Sequence, residues 1–222
     1  MKTNAVKMSE EENSEIEKRQ QSNKKPVEEP KKKAGLKTGH GSPQTVKPVK
    51  GVSKIIAIAS GKGGVGKSTL TVNLALSLVK EGKKVGIVDG DIYGPSIPML
   101  LGGRESKPLA NDNQKIIPLE GHGVKYLSFG NFIGEDEPVI WRGPMLNGVL
   151  QQFFFEVDWG ELDYLLIDLP PGTGDVQLSM IQLINLDGAV VISTPQDVAL
   201  LEAGKGAQMF NKLEVPILGM VE

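Results

Sequence analysis

The sequence predicts a doubly wound α/β domain with a mostly parallel sheet. Through residues 51–222, short apolar runs rich in β-branched residues alternate with stretches of helical periodicity. That alternation implies right-handed crossovers and helices on both sheet faces. Each motif with chemical content also falls where an apolar run ends, the edge at which such sheets bind ligands.

Composition narrows the class. The 222 residues are 39% hydrophobic and 23% charged, with net charge −2 and no cysteine. The longest apolar runs, such as residues 55–59, are far shorter than the roughly 20 residues that cross a bilayer. Zero cysteine excludes a disulfide framework, a thiolate zinc site, a cysteine nucleophile and a thiolate-held iron–sulfur cluster within these residues. Only His40 and His122 carry imidazoles, too few for a histidine-rich metal site.

Residues 1–50 read as a disordered charged tail and 51–222 as the folded domain. The tail holds 12 basic and 7 acidic side chains, no aromatic residue and charges in blocks such as Glu10-Glu11-Glu12 and Lys31-Lys32-Lys33. Such a segment buries too little apolar surface to offset the entropy of ordering. It lacks the apolar core of a secretory signal and is too acidic from Glu10 to Glu17 for a transit peptide, so the cytoplasm is the expected compartment. Its net +5 leaves −7 on the domain, which gives no sign of nucleic-acid binding, and no amphipathic basic helix marks a membrane surface.

The domain opens with a strand at 55–59, a glycine-rich loop and a helix at 68–80 closed by Gly82. A strand at 84–88 ends at Asp89. Residues 94–123, with Pro95, Pro98, Pro108 and Pro118, read as loop-rich. Strands are expected at 124–129 and 138–141, then a helix at 144–157 with Pro144 in its first turn. A strand at 164–167 ends at Asp168. A helix at 175–185, a strand at 189–193, a helix at 197–212 and a strand at 217–221 complete the order. No covering helix follows the last strand, so the sheet is expected to be incomplete at the C-terminus and the sequence to be a fragment. Phe153-Phe154-Phe155 and Met145, Met180, Met209 and Met220 are expected to pack.

The strongest chemical signal is Gly61-Lys62-Gly63-Gly64-Val65-Gly66-Lys67-Ser68, a G-x-x-x-x-G-K-[ST] phosphate loop between a strand and a helix. Its glycines turn backbone N–H groups toward phosphate oxygens, and the helix N-terminus adds partial positive charge. Lys67 is expected on the β- and γ-phosphates, Ser68 on Mg²⁺ and Thr69 near the α-phosphate. Asp168 suits the second Mg²⁺-holding position. Gly172, in Pro170-Pro171-Gly172-Thr173-Gly174-Asp175, would bring a backbone N–H to the γ-phosphate and move on hydrolysis. Asp91 is favoured as the group that activates water, with Asp89 bracing the Mg²⁺ shell; both as plain turn residues is the alternative. Lys62 is unusual for such a loop, and a cation there would act in its own site or across a dimer interface. Trp141 and Arg142 are open between a partner contact and a stacked pair. Asn211-Lys212-Leu213-Glu214 carries Glu where guanine recognition requires Asp.

These residues resemble a family. Lys62-Gly63-Gly64-Val65-Gly66-Lys67-Ser68 matches the deviant phosphate loop of the MinD/ParA-like P-loop NTPases, which include the nitrogenase iron protein. Asp89-Gly90-Asp91-Ile92-Tyr93-Gly94-Pro95, Trp141-Arg142-Gly143-Pro144-Met145, the 168–175 motif and Ser193-Thr194-Pro195-Gln196-Asp197 are similar to the Mrp/ApbC branch of iron–sulfur cluster carriers. The resemblance implies ATP and Mg²⁺ as ligands, slow hydrolysis, and a homodimer with ATP at its interface and Lys62 reaching the partner's nucleotide. It also implies Asp91 as the switch aspartate, with transfer of [4Fe–4S] clusters to apoproteins, in company with scaffold proteins. Members of the branch hold that cluster through a C-x-x-C pair, which has no counterpart in these residues. A positioning or partition ATPase and a non-catalytic nucleotide-binding module are the alternatives.

Overall fold

The computed structural model describes residues 47–132 and 143–222. Residues 1–46 of the tail expected over 1–50, the expected strand at 138–141 and the Trp141–Arg142 pair lie outside the described residues. β1 (Val52–Ser60) leads into α1 (Lys67–Lys80), β2 (Val85–Asp89) and a single turn, α2 (Ile97–Leu100). Three short strands follow: β3 (Leu109–Ala110), β4 (Ile116–Ile117) and β5 (Leu119–Gly121). Then come β6 (Val124–Ser128), a 3₁₀ turn at Phe129–Asn131, α3 (Gly143–Phe155), β7 (Leu162–Asp168), α4 (Asp175–Leu183), β8 (Gly188–Ile192), α5 (Asp197–Lys212) and β9 (Ile217–Val221).

Seven strands form one sheet in the order β5-β6-β2-β7-β1-β8-β9. All pairs are parallel except β5 with β6. β1 is an interior strand between β7 and β8, and its continuous apolar run suits a strand covered on both faces. The pleat divides it: Ile55, Ala57 and Ala59 enter one core, Ile56 and Ile58 the other. Val72 and Ala75 of α1 cover the second face, while Leu150 and Phe153 of α3, Met180 of α4 and Phe210 of α5 cover the first. Phe153 lies 4.4 Å from Phe129 and 5.5 Å from Phe132, ring centre to ring centre.

The predicted doubly wound α/β class holds, with several local differences. Packing reaches back into residues assigned to the tail, since Val49 is buried and Lys47 forms a parallel bridge with Ile184. The loop-rich stretch 94–123 contains α2, β3, β4 and β5, each too short to show a periodic pattern. Among the aromatic and sulfur side chains, Phe153, Phe154 and Met180 are buried, Phe155 and Met209 are partly buried against the core, and Met220 is exposed on β9 beside Leu218 and Val221. Among the described residues, no helix is long and apolar enough to cross a membrane.

Candidate functional site

The carboxyl ends of β1, β2 and β7 converge on one cavity of about 250 Å³. Gly63, Gly64, Gly66, Lys67, Ser68 and Thr69 line one side; Asp91, Gly94, Ser96 and Pro171 line the other. Gly66 precedes α1 with φ +90°, a conformation that favours glycine, and its carbonyl accepts the N–H of Leu70 at 2.9 Å. No side chain caps α1, so its first N–H groups keep their donors for an anion.

Asp168 organises the floor. Its Oδ2 accepts the Ser68 hydroxyl at 2.6 Å and lies 2.9 Å from the Lys67 ammonium, while its Oδ1 accepts the Thr71 hydroxyl at 2.8 Å. Asp168 is fully buried and Lys67 nearly so. A buried charge pair of this kind persists only when its remaining polar atoms are satisfied, and the two hydroxyls do that. Ser68 Oγ and Asp168 Oδ2 also form an adjacent pair of hard oxygen donors, the type that Mg²⁺ takes. Thr71 escapes a motif reading, yet it sits one helical turn after Lys67 and so faces the same strand end.

Asp91 and Asp89 occupy different places. Asp91 lines the cavity, and its Oδ1 accepts the Gly94 N–H at 3.1 Å. Asp89 is fully buried behind it. Its Oδ1 accepts the Asp91 N–H at 3.2 Å; its Oδ2 accepts the Ile97 N–H at 3.2 Å and the Ser128 hydroxyl at 2.9 Å. Asp89 therefore holds the Asp91 loop and the start of α2 to the sheet. Burial, reinforced by the charge of Asp168 in register on β7, pushes its carboxyl up to about 7 against the pull of those hydrogen bonds.

Other expected site residues are placed as follows. Gly61 packs against α5: a Cβ on it would meet the Glu202 Cβ at 2.5 Å and the Ala203 nitrogen at 2.6 Å. The Gly172 N–H donates to the Ser60 carbonyl at 2.9 Å, which ties the loop after β7 to the end of β1. Lys62 and Val65 are partly exposed on the phosphate loop, and the Lys62 carbonyl accepts the Ser60 hydroxyl at 3.0 Å. Among the described residues, no cluster of three or more His, Cys, Asp or Glu side chains gathers as a metal site.

A glycine-rich loop feeding a helix, with a strand-end aspartate behind its Lys-Ser pair, defines a P-loop nucleotide-binding protein. Comparison with known proteins narrows this. The chain belongs to the family described as ParA, NUBPL iron-transfer P-loop NTPase, whose model matches residues 51–222. It is 53% identical over 189 residues to the iron-sulfur cluster carrier protein of Haemophilus influenzae, covering 85% of this chain and 50% of the relative. It is 50% identical over 187 residues to the iron-sulfur cluster transfer protein NUBPL of Dictyostelium discoideum, covering 83% and 58%. Among solved structures, the nucleotide-binding protein of Archaeoglobus fulgidus in complex with ADP superposes with a TM-score of 0.68 at 41% identity, covering 78% of this chain and 68% of that one. The chain thus spans about half the length of the curated relatives it matches.

Proposed function

We propose that this chain is the nucleotide half of an iron–sulfur cluster carrier: it binds ATP with Mg²⁺, hydrolyses it slowly, and couples nucleotide state to the transfer of [4Fe–4S] clusters to apoproteins. The supporting observation is the Lys67–Ser68–Asp168 constellation at the mouth of the glycine loop. In this reading Ser68 and Asp168 hold Mg²⁺, which would neutralise phosphate charge. Lys67 leaves Asp168 for the β- and γ-phosphates. The loop N–H groups from Gly63 to Thr69 hold the phosphate chain. Asp91, on the open cavity wall, orients the attacking water, and Asp89 holds the Asp91 loop rather than the metal. The Gly172 N–H passes from the Ser60 carbonyl to the terminal phosphate, and that exchange reports nucleotide state to the loop.

The working unit in this reading is a homodimer with ATP at its interface, in which Lys62 reaches the partner's nucleotide. Scaffold proteins and recipient apoproteins are the partners, with no part for nucleic acid or membrane, and the cytoplasm is the compartment. The 222 residues contain no cysteine, so they contribute no thiolate to a cluster, and cluster chemistry is not assigned to their side chains.

Two measurements test the proposal. Titration with Mg²⁺ and a fluorescent ATP analogue, followed by multiple-turnover phosphate release, tests the nucleotide half. Saturable binding with slow turnover supports it, and absence of binding overturns it. The carrier half is tested by reading the coding sequence past codon 222 and reconstituting the longest product anaerobically with ferrous iron and sulfide. A bound cluster supports it; a product that never takes up iron overturns it.

A further inference from the structure

The first turn of α4 buries a side chain that the nucleotide site does not use. Gln177 is 1% exposed, and neither its Nε2 nor its Oε1 has a hydrogen-bond partner. A buried carboxamide with both ends unpaired is rare and calls for a cause. α3 packs against α4, and it carries Asn147, whose Oδ1 is also buried without a partner. One hydrogen bond from Gln177 Nε2 to Asn147 Oδ1 would satisfy a donor on one helix and an acceptor on the other.

The position of α4 connects this pair to the nucleotide. Gln177 lies three residues after Gly174, the residue preceding the helix, and five after Gly172, whose N–H is held by Ser60. Met180, one turn further on, packs where a Cβ on Gly90 would stand, 2.3 Å from its Cε. α4 therefore abuts the loop that carries Asp91 and continues directly from the loop that carries Gly172. The first turn of α4, and Gln177 with it, is thus tied to both loops, by packing to one and by chain continuity to the other.

We infer that Gln177 is a positioning residue of the nucleotide switch. Its carboxamide pairs with Asn147 across the α3–α4 contact once the Gly172 loop has moved onto a terminal phosphate. The inference rests on the nucleotide reading above and adds a route from the γ-phosphate to α3. It makes the triphosphate arrangement more favourable than the diphosphate one through a bond that touches no nucleotide atom.

The test measures affinity for Mg²⁺ with ADP and with a non-hydrolysable ATP analogue, by calorimetry on the 222-residue chain. In Gln177→Met the preference for the triphosphate falls about tenfold, the worth of one buried amide hydrogen bond, while ADP affinity holds. Asn147→Leu does the same, and the double variant loses no more than either single one. A purely structural role, or an ordered water pairing Gln177 in every condition, changes both affinities together. An unchanged triphosphate-to-diphosphate ratio therefore overturns the inference while the proposed function stands. A wild-type chain that binds neither nucleotide overturns both. If Gln177→Met fails to fold, Asn147→Leu, on a partly exposed residue, supplies the same comparison.

Discussion

Lys67 and Asp168 form a buried pair whose energetics differ from those of a surface ion pair. Removing one member of such a pair typically costs 3–5 kcal/mol, because the other charge stays buried. Ser68 and Thr71 still donate to Asp168, so Lys67→Ala is expected at the lower end, about 3 kcal/mol. It should also weaken ATP binding about 10- to 100-fold through loss of a charge-assisted contact. Denaturant unfolding beside nucleotide titration separates the two effects: adding Asp168→Asn should recover stability and leave binding poor. Asp89 gives a pH signature. Its folded carboxyl titrates near 7, above the ordinary 3.8, so the native state binds this proton more tightly than the unfolded chain does. The resulting stabilisation is complete below about 3.8 and is lost as pH rises through 7. Asp89→Asn removes that titration. Unfolding free energies of wild type and variant, measured with chelator and without nucleotide, should therefore converge or cross in the variant's favour between pH 5 and 8. Parallel profiles would contradict the assignment.

At the scale of elements, legibility followed burial and length. β1, β2, β7 and β8 are continuous apolar runs because helices cover both their faces, and such runs stand out in a sequence. The 94–123 stretch was opaque because its elements last two to four residues and are held by side chains. The Asn111 Oδ1, for example, accepts the N–H groups of Asn113 and Lys115 to close the turn between β3 and β4. The site divides the same way. The phosphate loop and Asp168 were legible from spacing and strand ends, whereas Thr71 and Ser128 are single hydroxyls that only the fold brings to the two aspartates. Gly61 shows how an element contact hides inside a motif. Its lack of a Cβ lets α5 approach the loop, and Gly61→Ala would drive a methyl into the Glu202 and Ala203 backbone. Overpacking of this kind costs about 1–3 kcal/mol. Because α5 and the phosphate loop must separate, a matching loss of ATP affinity is expected. Thermal unfolding and nucleotide titration of the variant check both, and wild-type values in each would show that the close approach is dispensable.

At the scale of the whole molecule, exposed apolar side chains stand on two segments next to the cavity's lining residues. Tyr93 stands exposed beyond Asp91, and Val198 and Leu201 stand exposed on the first turns of α5, the helix on which Gly61 rests. Exposed apolar groups around a polar cleft are the surface expected of a face that closes on a partner. Lys62 lies beside that cleft, partly exposed and in no ion pair among the described residues. A cation at this place supplies transition-state charge when a second subunit presents it, as an arginine finger does, and such groups are worth about 10³–10⁵ in turnover. Two outcomes follow. Mg²⁺ with a non-hydrolysable ATP analogue should double the mass seen by light scattering, and ADP should not. Lys62→Ala should bind ATP normally yet lose turnover about 10³-fold. Mixing decides between action in cis and in trans. Lys62→Ala and Lys67→Ala are each expected to be inactive alone. In a mixed dimer, the subunit that keeps Lys67 faces a partner that keeps Lys62, so one intact site forms. Recovery of phosphate release on mixing places Lys62 across the interface. A mixture as silent as its components, in samples shown to form dimers, confines Lys62 to its own loop and leaves the dimer without a catalytic reason.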